Sequence, residues 1–413
     1  MNKVMSYADA GFSLRSGATW RDPFGSYAWL RDHSPVHRVG EEGSETDFYV
    51  LSHYHDVTAA ATNAADFISG RGLTVTYGEL EAIGMADNPP MVMLDPPEHL
   101  DFRKLVSRGF TPKQVREVEP TVRDYVRGQL ASIDSDDELN MVDHLFKPLP
   151  SMVVAHYLGV PESDRQQFDR WTESVVGANP GGDLAGAMVT AGQAVGEMLG
   201  YFSGLIEFRK KNPGDDTVSH LVAAGLADDP ENPGGLLSIL AFTFTMVAGG
   251  NDTTTGMLGG ASALLSEHRD QRRELIDDPA LLPDAIEEFL RLTSPVQGLA
   301  RCTSRDITIG DTTIPAGKKT LLLYASANRD ERRWGDDAAA LDIHRAPTQI
   351  MSFSKGNHHC LGAAAARMQA RVALEELLIA YPDFEVDVDG IEYAAGNYVR
   401  RPTVVPMRMG AHA

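Results

Sequence analysis

The chain of 413 residues is poor in cysteine, with only Cys302 and Cys360. So sparse a set leaves no disulfide framework and fits a reducing compartment, the cytosol. Apolar residues make up 43% of the chain. Yet no run reaches the length of about 20 that a membrane-spanning helix needs. The first residues, MNKVMSYADAGFSLRSG, lack the apolar core of a signal peptide. Neither an export signal nor a membrane anchor is expected. Positive charge is also short: 37 Lys and Arg stand against 58 Asp and Glu, for a net charge of −21. That balance argues against nucleic acid and anionic membrane surfaces as partners. Three common signatures are missing too. There is no Gly-x-Ser-x-Gly, no Gly-x-x-x-x-Gly-Lys-Ser/Thr and no Gly-rich strand-to-helix turn. A serine hydrolase of that type, a P-loop enzyme and a dinucleotide-binding domain are therefore not expected.

What is present is concentrated in Phe353-Ser354-Lys355-Gly356-Asn357-His358-His359-Cys360-Leu361-Gly362, a Phe-x-x-Gly-x-x-x-Cys-x-Gly pattern. At average residue usage, chance matches in a chain this long are on the order of 10⁻³. The pattern places a cysteine at the mouth of a helix. Gly356 permits a tight bend, and Gly362 lets a flat object approach the first turn closely. Helix N-terminal amides favour a thiolate there. A thiolate under a macrocycle is the axial ligand that pushes electron density onto haem iron. The bland alternative is a buried structural cysteine. Zinc is disfavoured: His358, His359 and Cys360 are too close together, and no Cys-x-x-Cys exists. The run resembles the haem-binding loop of cytochromes P450, with Cys360 as proximal ligand to the iron.

Around this run the chain reads as mainly α with small β-sheets. A helix is expected over 27–32, then strands Val36–Val39 and Phe48–Leu51. Residues 70–93 read as a long loop with little helix. Helical patterns dominate 98–290, broken at Pro161 and near 179–182, 212–214 and 232–234. A strand-rich stretch covers 296–323, including a strand, turn and strand over 306–314. A helix follows Cys360 to about residue 380. Residues 384–409 alternate as strands, with Gly396-Asn397 at a hairpin tip. Length alone suggests two or three domains. However, pieces between residues 99 and 360 point to one cofactor. A single domain, 1–413, with a short tail over about 1–19, is expected.

A second feature is Ala248-Gly249-Gly250-Asn251-Asp252-Thr253-Thr254, inside a long apolar helix over about 236–267. Two glycines in a helix interior cost roughly 1 kcal/mol each, so something should need bare backbone there. A threonine four residues after Gly249 can bond that residue's carbonyl and open the helical ladder. Asp252 beside Thr253 makes an acid–alcohol pair able to deliver protons. The alternative is a kink packed on another helix, with Asp252 solvated. The run is similar to the family's oxygen-activation motif.

The resemblance extends from about residue 20 to 409, with motifs in family order. It implies the cytochrome P450 fold, with haem b between the long central helix and the Cys-loop helix. It implies that Phe353, Gly356, Gly362, Gly249 and Gly250 surround the cofactor. His99, Arg103, Arg301 and His358 stand at the family's propionate positions. Glu288 and Arg291, as Glu-x-x-Arg, join Arg345 in a buried structural triad. Asp252 and Thr253 would be catalytic. By position in the resembled fold, the substrate meets residues 73–93, the region near 175–179, Phe242, Met246, Val247, Val296, Leu299 and Tyr398. These are mainly apolar, so a hydrophobic small molecule is expected. Core packing is the alternative for each.

The implied activity is that of a soluble haem-thiolate monooxygenase using dioxygen. Electrons would come from a ferredoxin and its reductase, fed by NAD(P)H. The donor would dock through Arg367, Arg371, Lys104, Arg108 and Lys113. Two rivals remain at this point: a peroxide-driven peroxygenase, and a haem-thiolate sensor or ligand-binding protein without turnover.

Overall fold

The computed structural model describes residues 12–41, 44, 46–82, 85–133, 138–177, 184–227 and 234–410. Its elements follow local rules. Helix Pro112–Ala131 starts where Thr111 accepts from the Gln114 amide at 3.4 Å. Pro112 takes the first position, where its missing N–H costs nothing. Val115, Val118, Val122, Val126 and Leu130 fall on one face and are buried, as a 3.6-residue period requires. Helix Leu282–Thr293 buries Leu282, Ala285, Ile286, Phe289 and Leu292 in the same way. It ends at Ser294, whose φ of 39° turns the chain out of the helix, and Pro295 cannot continue it.

The central helix, Gly234–Glu267, is 34 residues long, roughly 50 Å at the usual rise. Ile239, Leu240, Phe242 and Val247 of its first half are buried. It packs against helix Pro148–Leu158, helix Leu282–Thr293 and the Cys-loop helix Ala363–Ala380. An ion-pair network ties the Cys-loop helix to Pro112–Ala131. Arg123 reaches Glu375 (2.9 Å) and Glu376, and Arg127 reaches Glu376 (2.8 Å).

The strands are short: β1 (Val36–Val39), β2 (Phe48–Leu51), β3 (Phe67–Ile68), β4 (Glu138–Asn140), β5 (Leu299–Thr303), β6 (Ile307–Ile309), β7 (Thr312–Ile314), β8 (Lys319–Leu322), β9 (Glu385–Val386), β10 (Glu392–Tyr393), β11 (Pro402–Val404) and β12 (Pro406–Arg408). The largest sheet has five strands in the order β1-β2-β8-β5-β3. β2 and β8 run parallel, with Val50 opposite Leu321; the other neighbours are antiparallel. Cys302 is buried on β5.

The mainly helical reading with small sheets is correct. β1 and β2 have the expected bounds, and β6–β7 form the expected hairpin, with Ile307 opposite Ile314. β10 and β11 pair around a tip that includes Gly396, at φ 130°. Residues 73–82 and 85–93 hold only the short helix Glu79–Ala82 and a turn at Met91–Met93. β4 departs from expectation, because it lies in a stretch read as helical. Three residues carry no period, and their partner is β12, with Asn140 opposite Pro406. The expected breaks near 179–182 and at 232–233 lie outside the described residues. Among the described residues, no helix is long and apolar enough to cross a membrane.

Candidate active site

The loop before the Cys-loop helix is closed by its own backbone. The Cys360 amide donates to the Phe353 carbonyl (2.9 Å), and the His359 amide to that of Gly356 (3.1 Å). Gly356 has φ 67°, and a Cβ there would stand 2.9 Å from the Ala61 carbonyl oxygen. Glycine is needed on both counts. Gly362 differs. Its φ is an ordinary −84°, and a Cβ would meet no protein atom within 4 Å. Neither backbone nor packing asks for glycine there, so the space would admit a flat group against the helix start. Phe353 is buried beneath the Arg367 guanidinium, 4.5 Å from its ring centroid. Leu361 packs against the cluster containing Phe242 and Val247, which sets the loop beside the central helix.

Cys360 is accessible, yet burial pushes its thiol up. Solvent reaches the residue, while surrounding protein atoms desolvate its thiol. The Gly362 N–H and the charges of Arg103 and Arg367 pull the other way and lose. The expected thiolate stabilisation is therefore present but smaller than desolvation. A metal ion overrides that balance, because it deprotonates a coordinating thiol outright.

Beside the loop stand four nitrogen-bearing side chains, those of His99, His358, Arg301 and Arg103. His99 is 0% exposed, and neither ring nitrogen has a partner. Its ring centroid lies 4.0 Å from that of His358. His358 Nε2 is 3.1 Å from Ser69 Oγ. Arg301, 3% exposed, donates to the Ala300 carbonyl (2.9 Å). Arg103 donates to the His359 carbonyl (2.6 Å). Burial, then Arg301, His99 and Arg103, push His358 down to about 3. Burial and Arg103 lower His99 as well, against the pull of Asp95. Among the described residues no carboxylate bonds any of the four. Buried donors left unpaired cost about 1–3 kcal/mol each. Two carboxylates on a flat ring would satisfy them, so the donor set fits haem.

On the central helix, Thr253 Oγ1 donates to the Gly249 carbonyl (3.0 Å), and Thr254 and Thr255 bond back in the same way. The expected opening of the ladder is not found: Gly234–Glu267 is a continuous α-helix. A carbonyl has two lone pairs and can accept from both the amide and the hydroxyl. The two glycines divide. A Cβ at Gly250 would sit 2.6 Å from Val154 Cγ2, so packing demands it. A Cβ at Gly249 meets nothing within 4 Å, and the residue is exposed.

Asp252 forms an ion pair with Arg401 (3.1 Å). Burial outweighs Arg401 and Lys147 and raises its carboxyl to about 7. Arg401, on the turn before β11, escaped the sequence reading. It is remote in sequence and sits in no motif, so no local signal could have found it.

Glu288 and Arg291 are both fully buried, with two bonds of 2.7 Å between them. Arg345 adds a bond to Glu288 (3.2 Å) and a pair with Asp337 (2.9 Å). Arg291 also donates to the carbonyls of Asn328 (2.7 Å) and Ala338 (2.6 Å). The structure thus brings these three together. Of the residues expected to meet substrate, Phe242 and Val247 are buried in a core cluster. Met246, Val296, Leu299 and Tyr398 are partly buried at the edges of clusters. Tyr398 accepts from the Val75 amide (3.0 Å), tying the 70–93 loop to the hairpin tip. Residues 178–179 lie outside the described residues.

Comparison with known proteins agrees with this geometry. Residues 261–390 match the family described as "Cytochrome P450". Cytochrome P450 130 of Mycobacterium tuberculosis is 60% identical over 410 residues, covering 99% of this chain and 100% of the relative. Vitamin D(3) 25-hydroxylase of Pseudonocardia autotrophica is 33% identical over 400 residues, covering 96% of each. Cytochrome P450 CYP109E1 of Bacillus megaterium, solved in complex with corticosterone, superposes with a TM-score of 0.81. It is 29% identical over 95% of this chain and 99% of that one. With relatives this similar over its full length, the chain belongs to the cytochrome P450 family of haem monooxygenases.

Proposed function

We propose that the chain inserts one atom of dioxygen into a hydrophobic small molecule in the cytoplasm, with two electrons from a ferredoxin and its NAD(P)H-fed reductase. The overall change is R–H + O₂ + 2e⁻ + 2H⁺ → R–OH + H₂O. The carrying observation is the buried, unpartnered imidazole of His99, grouped with Arg301, whose bond goes to a neutral carbonyl, near the exposed Cys360. Cys360 would hold the iron of haem b, and His99, Arg103, Arg301 and His358 its carboxylates. Gly249 and Gly362 would leave room for its plane, with Phe353 and Gly356 shaping the loop beneath, whereas Gly250, expected at the cofactor, is fixed by its packing on Val154. Bound there, haem supplies one-electron and dioxygen chemistry tuned by the thiolate.

The protein's own part is proton supply. Asp252, with a carboxyl raised to about 7, can both gain and lose a proton near neutrality,. Arg401 holds it in place (3.1 Å). Thr253 Oγ1, anchored on the Gly249 carbonyl, keeps a hydroxyl at the exposed stretch of helix. Substrate would lie along Met246, Val296, Leu299 and Tyr398, with Phe242 and Val247 behind. The names of two relatives support an apolar substrate: one is a vitamin D(3) hydroxylase, the other was solved with corticosterone.

The test compares electron sources. Turnover of an apolar substrate with NAD(P)H, ferredoxin and reductase supports the proposal. Product with peroxide alone, and none with the electron partners, would show a peroxygenase. Specific ligand binding without turnover from either source would show a sensor.

A further inference from the structure

A cavity of about 210 Å³ lies against the C-terminal half of the central helix, next to β10 and β11. Arg21, Arg329 and Arg400 line it. Their partners are unusual. Arg329 donates to the carbonyls of Ala339 (3.3 Å) and Leu292 (3.0 Å), and its Nε has no partner. Arg400 donates to the Trp20 carbonyl (2.7 Å), the Arg21 carbonyl (3.2 Å) and the Tyr393 hydroxyl (2.6 Å). Arg21 donates to the carbonyls of Val388 (3.2 Å) and Ile391 (2.8 Å). Every acceptor is neutral, and among the described residues no carboxylate pairs with any of the three.

The chain carries 58 acidic residues, yet the one acid lining this cavity, Glu267, is exposed and makes no ion pair among the described residues. Burial, then Arg291, Arg400 and Arg31, hold the Arg329 guanidinium down to about 9. Phe24 gives partial relief, with its ring centroid 3.7 Å from Arg329 and 5.6 Å from Arg400. Aromatic faces attract cations but do not neutralise them. A guanidinium is a planar fork whose matching partner is an oxyanion.

We propose that this cavity binds a small oxyanion, a carboxylate or phosphate group, held by Arg329, Arg400 and Arg21. The site is separate from the monooxygenase reading, since none of its three arginines is assigned to haem, dioxygen or substrate.

The test is calorimetric titration of the haem-loaded protein with phosphate, sulfate, acetate and citrate, at ionic strength held constant with chloride. One saturable event per chain is expected, and its ranking among the four anions separates the phosphate from the carboxylate source. Two substitutions on exposed side chains keep the fold out of the comparison. Arg21→Gln should weaken binding several-fold. Glu267→Gln should tighten it several-fold, because the one opposing charge is removed. Circular dichroism and the CO spectrum of each variant check that it is folded. Absence of a saturable event in both the wild type and Glu267→Gln overturns the proposal. So does binding that neither substitution changes.

Discussion

Cys360 and Cys302 differ in what lies around the sulfur. Cys302 is buried on β5, and burial raises its thiol. Cys360 is exposed, and the charges of Arg103 and Arg367 act on its thiol. Cys302→Ser should therefore keep the red-shifted ferrous–CO band of a thiolate-ligated haem, and Cys360→Ser should lose it. The reverse pattern would remove Cys360 from the site. Asp252 allows a sharper test. Its carboxyl is raised to about 7, so the proton-donating form declines as pH climbs past that value. Turnover should fall on the alkaline side, with a midpoint near pH 7. Asp252→Asn should cost about 10²–10⁴-fold, the usual worth of a general acid, and remove that limb. Arg401 favours the ionised form, so Arg401→Gln should move the limb to higher pH. A pH–rate profile unchanged in both variants means that another group titrates. Thr253→Ala should keep consuming NAD(P)H but release more hydrogen peroxide per product; wild-type coupling would make Thr253 a packing residue.

Along the central helix, the two adjacent glycines answer to different demands. Gly250→Ala drives a methyl against Val154, 2.6 Å away. Overpacking of this kind costs about 1–3 kcal/mol, visible in thermal unfolding. Gly249→Ala meets no protein atom and removes a helix-interior glycine. It should leave or raise protein stability, yet lower the haem bound per chain, read as Soret against protein absorbance. Equal haem content in both variants would mean that Gly249 faces no cofactor. The sequence could not separate these glycines, because the partner of Gly250 lies on another helix. β4 was hidden for the same reason: its identity comes from β12, far along the chain. Elements whose signal is local were legible. β1, β2, the β6–β7 hairpin and the Cys-loop helix carry their own alternation, turn residues or apolar face. The Cys loop and the run from Gly249 to Thr254 stood out in the sequence because their rare residues are contiguous. Arg401 was not, since only the folded chain brings it to Asp252.

At the scale of the whole molecule, a net charge of −21 sets the terms for the proposed ferredoxin. An acidic donor is repelled at long range and needs a local basic patch to dock. Two of the expected cations are already committed. Arg367 pairs with Glu287, and Arg371 with Glu119 (2.6 Å) and Glu375 (3.4 Å). Their charge is largely cancelled, and their role is to fasten the Cys-loop helix. Lys104 and Lys113 make exposed pairs with Asp101 (3.1 Å) and Glu117 (3.6 Å), which water and salt weaken. Arg108 is exposed and has no acidic partner among the described residues. Arg108→Glu should therefore slow ferredoxin-driven reduction most, with Lys104→Glu next. The effect should shrink above about 0.1 M salt, where the Debye length falls to about 10 Å. Arg371→Glu should act differently. It sets a third carboxylate beside Glu119 and Glu375, so its first effect is a lower melting temperature. Stopped-flow reduction at low ionic strength checks the order, with substrate affinity as the control that the pocket is intact. If Arg108→Glu and Lys104→Glu both reduce at the wild-type rate, the donor docks elsewhere, and the basic residues in and just after helix Glu98–Val106 are an ordinary solvated face.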